Sequence, residues 1–157
     1  MNMPVIEFKT LRSSAIVPRR ATTHAYCYDI YASIGETFGL SNYIDVAPNQ
    51  TANIGIGFAV RVDEGYGMKI YSRSGQAYRN RVSLTNGVGI IDADYDKEVM
   101  VMLTNHGDES FRVYNSQAIA QIEIQKHQEF SIKIVNELTH VASNRIGGFG
   151  STDKDHE

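Results

Sequence analysis

Apolar residues in this chain recur mostly at every second position, the spacing that lines one face of a β-strand. Spacings of three and four residues, which would indicate helices, are nearly absent. The alternating segments are short and are separated by turns rich in Gly, Asn, Asp and Ser, which is typical of a β-sandwich or a closed β-barrel. The pattern predicts strands at Val5–Lys9, Tyr28–Tyr31, Tyr43–Val46, Asn53–Val62, Met68–Tyr71, Val82–Leu84, Gly87–Ile91, Glu98–Asn105, Phe111–Tyr114, Ala118–Lys126 and Phe130–Val135.

One short helix is predicted at Ser74–Asn80, after the turn sequence YSRSG. From residue 142 onward the chain becomes Gly-rich and polar, a composition that cannot bury enough apolar surface to form a core. We therefore predict an all-β domain at residues 1–141 and a mobile C-terminal arm at residues 142–157.

Length, charge and cysteine content limit the size, binding partners and cellular location expected for this protein. The chain has 157 residues, enough for one domain with a substantial core. Its net charge of −3 gives no general attraction to nucleic acid or to an anionic membrane, and no apolar run approaches membrane-spanning length. Cys27 is the only cysteine, which excludes a disulfide within the chain. A single thiol suits a reducing compartment, so we expect a cytoplasmic location, or an intracellular one in a host cell if the gene is viral.

The segment Asn86–Asn105 is expected to form a hairpin of two strands joined by an acidic turn. Residues 99–103 of the second strand are all apolar, so this strand is expected to be buried on both sides. Asp92, Asp94 and Tyr95 follow the first strand, at a point where a core would tolerate no polar group. The carboxylates of Asp92 and Asp94 either form a rigid site for chemistry or make ordinary Asx turns.

Two further stretches carry polar groups that suit an anion. Ser74 lies at the predicted helix N-terminus beside Arg73, so a hydroxyl, free N–H groups and a delocalised cation could together hold a phosphate. A plain N-cap is the alternative for this serine. Gln121 is an amide among apolar neighbours and must find a partner in the fold or on a ligand.

The C-terminal arm carries the sequence RIGGFGST. Its three glycines around one aromatic give a flexible strap that could lay Phe149 over a planar ligand, while Arg145, Ser151 and N–H groups meet anionic oxygens. A disordered tail is the alternative. The five histidines are far apart and show no metal-ligand spacing, so no transition metal held by the protein is expected. A binding module and an enzyme whose site forms between subunits both remain open at this point.

Taken in order, five stretches resemble the motifs of the homotrimeric dUTP diphosphatase (dUTPase) family. AYCYDI at residues 25–30 is similar to the first motif of the family, YSRSG at 71–75 to its P-R-S-G, and GVGIIDADY at 87–95 to its G-x-I-D-x-D-Y. AIAQ at 118–121 and RIGGFGST at 145–152 resemble the fourth and fifth motifs. The match spans most of the chain in the right order and spacing.

The resemblance implies a jelly-roll-like β-barrel and a homotrimer with three sites at subunit interfaces. It also implies hydrolysis of dUTP to dUMP and pyrophosphate, which keeps uracil out of DNA and supplies dUMP for dTMP synthesis. Asp92 would be the general base that activates a water for attack on the α-phosphorus. Mg²⁺ in the family is held mainly by the three phosphates, and Asp29 would act on it indirectly, through water.

The resemblance also implies a set of substrate contacts. Arg73, Ser74 and Gln121 would grip the phosphates. Tyr95 would pack against the deoxyribose and exclude a 2′-hydroxyl, and Phe149 from the arm of a neighbouring subunit would cap the base. Backbone groups of the hairpin would pair with uracil, and cytosine would leave a buried group unpaired. The expected substrate-binding residues are Arg73, Ser74, Gly75, Asn86, Gly89, Ile91, Tyr95, Met100, Gln121, Arg145, Phe149, Gly150 and Ser151.

Five positions depart from the pattern of the family. Ser72 stands where Pro is usual, which we expect to loosen the turn before Arg73. Residues 96–97 are Asp-Lys in place of a frequent Arg-Gly at the hairpin tip. Arg145, the expected clamp on the terminal phosphate, is one residue closer to Phe149 than in the commonest pattern. Asp153 replaces a Gly, and its charge would be unfavourable close to a triphosphate.

Two alternative functions share this fold. A dCTP deaminase, or a bifunctional deaminase–diphosphatase, uses a glutamate three residues before the Asn that ends the second hairpin strand. That position is Met102 here, which cannot act as an acid or base. The other alternative is a regulatory protein that keeps the fold to bind a protein partner. The segment Gly35–Asn42 and the tail after Asp153 carry no family motif and are the expected places for such a role.

Overall fold

In a computed structural model of the chain, residues 3–35 and 42–139 are described. They form ten strands and one helix, and the strand ends lie within two residues of the predicted ones. The elements are β1 Ile6–Thr10, β2 Tyr28–Tyr31, β3 Tyr43–Val46, β4 Thr51–Val62, β5 Tyr66–Tyr71, α1 Ser74–Asn80, β6 Val82–Leu84, β7 Val88–Ile91, β8 Glu98–Asn105, β9 Phe111–Tyr114 and β10 Ala118–Lys126.

Two four-stranded antiparallel sheets enclose the core. The first has the order β1-β4-β8-β6 and the second the order β2-β10-β5-β7, while β3 and β9 form a separate pair. Both sheets contribute to one continuous cluster of buried side chains. The prediction of an all-β, jelly-roll-like fold is confirmed. The largest fully buried side chains are Ile30, Ile34, Ile54, Ile56, Met68, Leu103 and Ile119.

Strand β8 is buried on one face only, so the prediction of burial on both sides is wrong. Val99, Val101 and Leu103 point into the core, whereas Met100 is half-buried and Met102 is 38% exposed. The physical reason is that no other layer of the described chain covers the outer face of this sheet. The alternation of apolar and half-exposed positions is that of an antiparallel sheet with one solvated face.

The predicted hairpin of Asn86–Asn105 is also wrong. Strand β7 pairs with β5 in the second sheet, whereas β8 pairs with β4 and β6 in the first. The acidic segment at residues 92–97 therefore crosses from one sheet to the other. Tyr95, which lies in this crossing, packs against the core and favours that path over a tight turn.

The predicted strand Phe130–Val135 is absent, since this segment has no regular structure. Its alternating apolar side chains lie in solvent, with Phe130, Ile132 and Ile134 at 80%, 83% and 95% exposure. A strand needs a neighbour to pair with, and the described part of one chain offers this segment none.

The buried side chain of Asn105 ties the end of β8 to its surroundings. Asn105 is 0% exposed. Its Nδ2 donates to the carbonyl oxygens of Val46 at 2.8 Å and Glu109 at 2.7 Å, and its Oδ1 accepts from the N–H of Gly107 at 2.8 Å. This one amide thus satisfies three backbone groups at the edge of the core.

We predict that Asn105→Leu lowers the free energy of unfolding by at least about 2 kcal/mol, because three backbone groups lose their partner. Denaturant unfolding at one fixed protein concentration measures the change. Asn53→Leu, at an exposed position of β4, is the control and should stay within about 0.5 kcal/mol. Equal effects of the two substitutions would contradict the assigned role.

Candidate active site

Asp92 lies at the end of β7, directly after Ile91, and is exposed. It borders a surface depression of about 560 Å³ whose lining includes Lys69 and Lys126. The N–H of Tyr95 donates to the carbonyl oxygen of Asp92 at 3.1 Å and closes a backbone turn. The carboxylate itself has no hydrogen bond or ion pair with residues 3–35 or 42–139. This geometry disfavours an Asx turn and leaves the carboxylate available for chemistry.

Tyr95 is held by its own loop. Its ring packs against the core, and its hydroxyl donates to the carbonyl oxygen of Glu98 at 2.8 Å. Together with the N–H bond to Asp92, this contact fixes the tyrosine at both its backbone and its tip. The ring therefore has a defined position in the segment that follows Asp92.

Arg73 forms an ion pair with Asp29. Its Nε and Nη2 donate to Oδ1 and Oδ2 of Asp29 at 3.1 and 3.4 Å, and its Nη1 donates to the carbonyl oxygen of Ala118 at 3.2 Å. The long distances and the partial exposure of the guanidinium leave donor capacity for an anion. The first, second and fourth sequence motifs meet at this point.

Gln121 lies in the middle of the second sheet, opposite Asp29 on β2 and Tyr71 on β5. Its Nε2 donates to the carbonyl oxygen of Ser72 at 2.9 Å. The predicted need of this amide for a partner is thus met within the fold. The bond also places the amide next to the turn that carries Arg73.

The turn at Ser72 is tied down, so the expected loosening is wrong. Its Oγ accepts from the backbone N–H of Leu84 in β6 at 2.8 Å. A proline at this position would offer no side-chain acceptor. The hydroxyl therefore replaces the rigidity of a proline ring with a hydrogen bond to a neighbouring strand.

The helix α1 occupies the predicted bounds, and Ser74 is its first residue. Arg73 is the N-cap and makes no side-chain cap bond, so the alternative of a serine N-cap is not supported. Ser74 is exposed, and Gly75 follows it in the first turn. The first N–H groups of a helix have no intrahelical acceptor, which leaves this turn open to a ligand.

The start of β7 carries the remaining expected contacts. Asn86 is exposed in the turn before β7, and its carbonyl oxygen accepts from the N–H of Val88 at 2.8 Å. Gly89 is buried against Ile70, where an added Cβ would come within 3.1 Å of the Ile70 Cβ. Ile91 is half-buried at the other end of the strand.

Backbone groups on β7 and β8 remain unpaired on one side. In the described part of the chain β7 is the last strand of its sheet, and β6 covers only residues 103–105 of β8. The stretch 98–101, which includes the expected contact Met100, therefore pairs only with β4. Free N–H and C=O groups of this kind can read the edge of a nucleobase.

Asp92 and Arg73 lie at opposite ends of the β5–β7 ladder. Tyr71 pairs with Val88, and Arg73 continues beyond this end, whereas Asp92 follows the residue that pairs with Met68 at the other end. The four residue-to-residue steps from Val88 to Asp92 alone span about 13 Å of extended chain. One chain therefore does not bring the two side chains together.

A carboxylate on β10 perturbs its neighbours. The Tyr71 hydroxyl donates to Glu123, which raises the pKa of Tyr71 to about 12 and lowers the pKa of Glu123. Tyr26 lowers the pKa of Glu123 further, by less than Tyr71 does. Burial, with Glu123 and Asp29 nearby, raises the pKa of the Cys27 thiol, so this cysteine is a poor nucleophile at neutral pH.

Sequence reasoning missed several residues of this region. Gln76 is buried and donates to the carbonyl oxygen of Ala118 at 3.0 Å, the acceptor that Arg73 also uses. Its place one helical turn after Arg73 was a usable signal. No such signal pointed to Lys69 or to an Arg12–Glu98 ion pair, because strand pairing and long-range contacts bring them into place.

Some expectations concern residues that the structure does not describe. Arg145, Phe149, Gly150 and Ser151 lie outside the described ranges. Within those ranges there is no cluster of three or more His, Cys, Asp or Glu residues suited to a metal ion. Nor do residues 3–35 and 42–139 contain a helix long and apolar enough to cross a membrane.

In a comparison with known protein families, the family model described as dUTPase matches residues 13–153. This range includes the motif residues that cluster around Arg73. The chain belongs to the dUTPase family. A deoxyuridine 5′-triphosphate nucleotidohydrolase of Nautilia profundicola is 33% identical over 149 residues, which cover 95% of this chain and 99% of the relative. One of Rhizobium rhizogenes is 35% identical over 136 residues, with 87% and 84% covered.

Solved dUTPase structures have the same fold. A substituted dUTPase of Staphylococcus bacteriophage 80alpha with dUpNHpp is similar with a TM-score of 0.78 and 23% identity, and the match covers 94% of this chain and 97% of that one. A mutant dUTPase from phage phi11 of S. aureus, described as revealing the coordination of a structural Mg(II) ion, has a TM-score of 0.73 and 19% identity, with 87% and 99% covered.

We predict that Tyr71→Phe destabilises the protein more at neutral pH than at acidic pH. The phenol stabilises the Glu123 carboxylate and holds its folded-state pKa below the ordinary 4.5. This contribution is present above that value and is lost as the pH falls through the folded-state pKa. Denaturant unfolding at the two pH values measures it. Tyr78→Phe, at a largely exposed residue of α1, is the control, and a pH-independent effect of Tyr71→Phe would contradict the assignment.

Proposed function

We propose that this chain hydrolyses dUTP to dUMP and pyrophosphate, with Asp92 as the general base. The observation that carries the proposal is the position of Asp92, an exposed carboxylate at a strand end with no partner among residues 3–35 and 42–139, inside a family match that covers residues 13–153. The names of the two relatives from Nautilia profundicola and Rhizobium rhizogenes support the same substrate.

In this mechanism Asp92 takes a proton from a water as the water oxygen attacks the α-phosphorus in line. A new P–O bond forms, the bond to the oxygen bridging the α- and β-phosphorus breaks, and pyrophosphate leaves. A well-placed base contributes about 10²–10⁴-fold to the rate. The rest of the acceleration comes from positioning and from neutralising phosphate charge.

The residues around Arg73 would bind the phosphates of the substrate. This guanidinium, the amide of Gln121 and the first turn of α1 with Ser74 and Gly75 offer donors to phosphate oxygens. The Arg145 clamp and the N–H and hydroxyl groups of residues 150–151 would close over the phosphates from the arm. These assignments rest on the family motifs together with the observed clustering.

The residues present fit a magnesium ion that is held chiefly by the substrate. Asp29 uses its two oxygens in long bonds to Arg73 and keeps acceptor capacity for a metal-bound water. One carboxylate alone cannot complete an octahedral shell, so the phosphates would supply other oxygens. When bound, Mg²⁺ neutralises charge on the triphosphate.

Specificity for deoxyuridine follows from the groups around the crossing segment. Unpaired backbone groups near Asn86 and along β8 would match the edge of uracil and leave cytosine with an unpaired group, which costs roughly 1–3 kcal/mol. The fixed ring of Tyr95 would leave no room for a 2′-hydroxyl. Phe149 would cover the base. A deaminase is disfavoured, because position 102 is a half-exposed methionine.

The separation of Asp92 from Arg73 supports a site shared between copies of the chain. In one chain Arg73 lies at the Asn86 end of β7, where the base of the bound nucleotide would be. Arg73 would therefore contact the phosphates of a nucleotide bound to a neighbouring copy. The exposed apolar side chains of residues 130–138 and an apolar groove of about 470 Å³ beside β1 also suit subunit contacts. We therefore propose a homotrimer in the cytoplasm.

We predict that the wild-type protein releases pyrophosphate from dUTP with Mg²⁺ far faster than from dCTP, dTTP or UTP, and that Asp92→Asn cuts turnover by at least about 10²-fold. The matched control is Asp108→Asn, at an exposed carboxylate after β8, which should leave turnover unchanged. Undiminished turnover by Asp92→Asn would refute the assigned base.

Deletion of residues 145–157 should abolish most turnover and leave the trimer intact, because the arm is proposed to close the site and not to hold the subunits. Light scattering gives the mass of both proteins, and the pyrophosphate assay gives their activity. Full activity of the truncated protein would show that the arm is no lid. A monomeric wild-type protein would contradict the shared site.

A further inference from the structure

The Glu98 carboxylate lies in an almost enclosed position. It begins β8, immediately after the crossing segment 92–97, and its side chain is only 18% exposed. Both of its oxygens accept from the guanidinium of Arg12, whose side chain is 15% exposed. The N–H of Gly57 donates to Oε1 at 2.9 Å. A charge buried to this degree requires such partners.

The fold makes room for this ion pair. Strand β4 is irregular between Gly55 and Ala59. A Cβ at Gly55 would overlap the Glu98 carboxylate, and at Gly57, where φ is +76°, a Cβ would come within 2.7 Å of both Ala15 Cβ and Ser33 Oγ. Gly57 therefore requires glycine for both space and conformation, and a side chain at Gly55 would displace the ion pair. The backbone of β4 is thus shaped to accommodate the Arg12–Glu98 ion pair, unlike the backbone beside an ordinary surface ion pair.

Arg12 reaches Glu98 from a separate part of the chain. It follows β1, and its Nη1 also donates to the carbonyl oxygen of Ser33 at 3.2 Å. The N–H of Leu11 donates to the carbonyl oxygen of Gly57 at 2.8 Å, which fixes the backbone next to the arginine. The segment after β1 is thus fastened to the start of β8.

The same glutamate holds the crossing segment through its backbone. Its carbonyl oxygen accepts the Tyr95 hydroxyl at 2.8 Å, and the Tyr95 N–H closes the turn on Asp92. A continuous series of contacts therefore links Arg12 to the tyrosine ring and to the carboxylate. Displacement of Glu98 would shift both.

We propose that Arg12 is a positioning residue that acts through Glu98 to fix the Tyr95 ring, and thereby sets discrimination between deoxyribonucleotide and ribonucleotide. The inference rests on the proposed hydrolysis of dUTP. Arg12 touches no substrate in this account, and its effect comes from the rigidity that it gives the crossing segment. Displacements of about 1 Å at a site of this kind can cost up to about 10²-fold in rate.

The test compares kcat/KM for dUTP with kcat/KM for UTP in Arg12→Ala. We expect the ratio to fall by about tenfold or more, because the ring no longer excludes the 2′-hydroxyl firmly. Two controls should keep the wild-type ratio. Arg112→Ala breaks a two-pronged arginine–aspartate pair between β9 and β3, and Val113→Ala lowers stability through a cavity in β9.

A second comparison separates positioning from general stability. Tyr95→Phe removes the hydroxyl that joins the ring to Glu98. In that background Arg12→Ala should cause little further loss of discrimination, since the link through which it acts is already broken. Full additivity of the two losses would overturn the proposal. If Arg12→Ala fails to fold, Arg12→Lys carries the test, because it keeps the charge but loses the two-pronged bond.

The outcomes distinguish this proposal from the proposed function. A wild-type protein that does not hydrolyse dUTP would overturn both. A wild-type protein that hydrolyses dUTP and rejects UTP, with an unchanged ratio in folded Arg12→Ala or Arg12→Lys, would overturn the positioning role alone. A lowered ratio in Arg12→Ala, with both controls unchanged, supports it.

Discussion

The ion pair between Arg12 and Glu98 is the contact on which the arrangement of the candidate site depends. The chain leaves one sheet after Ile91 and enters the other at Glu98, and the six residues 92–97 between them must keep a defined path. Removal of one partner from a fully buried ion pair lowers the free energy of unfolding by about 3–5 kcal/mol. The loss is smaller for Arg12 and Glu98, because both side chains still reach water. The value of this ion pair lies in placement, because it fixes where β8 begins.

A second constraint is the direction of the β5–β7 ladder. It places Asp92, the proposed general base, and Arg73, the proposed phosphate contact, beyond opposite ends of the same two strands. A nucleotide that lies along β7 can meet Asn86 with its base and Asp92 with its first phosphate, but it then points away from Arg73 of the same chain. Under the proposed assignments, one chain therefore supplies part of two sites, and neighbouring copies would complete each one.

Much of the fold follows from local patterns. Alternation of apolar residues is a property of a few consecutive positions, so ten strands and the helix after YSRSG could be predicted. The motif residues Asp29, Arg73 and Gln121 could be selected as a group, and the structure places them side by side. The locations of the arm residues, and the roles of all site residues, stay predictions.

Two of the errors share one physical cause. A sequence does not show which strands pair, so the hairpin and the strand Phe130–Val135 were inferred from patterns that another partner, or none, can equally satisfy. The Ser72 bond to Leu84 and the pairing of Arg12 with Glu98 join residues that are not neighbours in the sequence. The residue types alone do not indicate which partners they bind.

Subunit complementation tests the shared site most directly. Asp92→Asn and Arg73→Ala should each be nearly inactive alone. When the two are unfolded together and refolded as mixed oligomers at equal amounts, about a quarter of the sites should combine an intact Asp92 from one subunit with an intact Arg73 from another, and that share of activity should return. Mixed oligomers that stay inactive at every ratio would contradict the account.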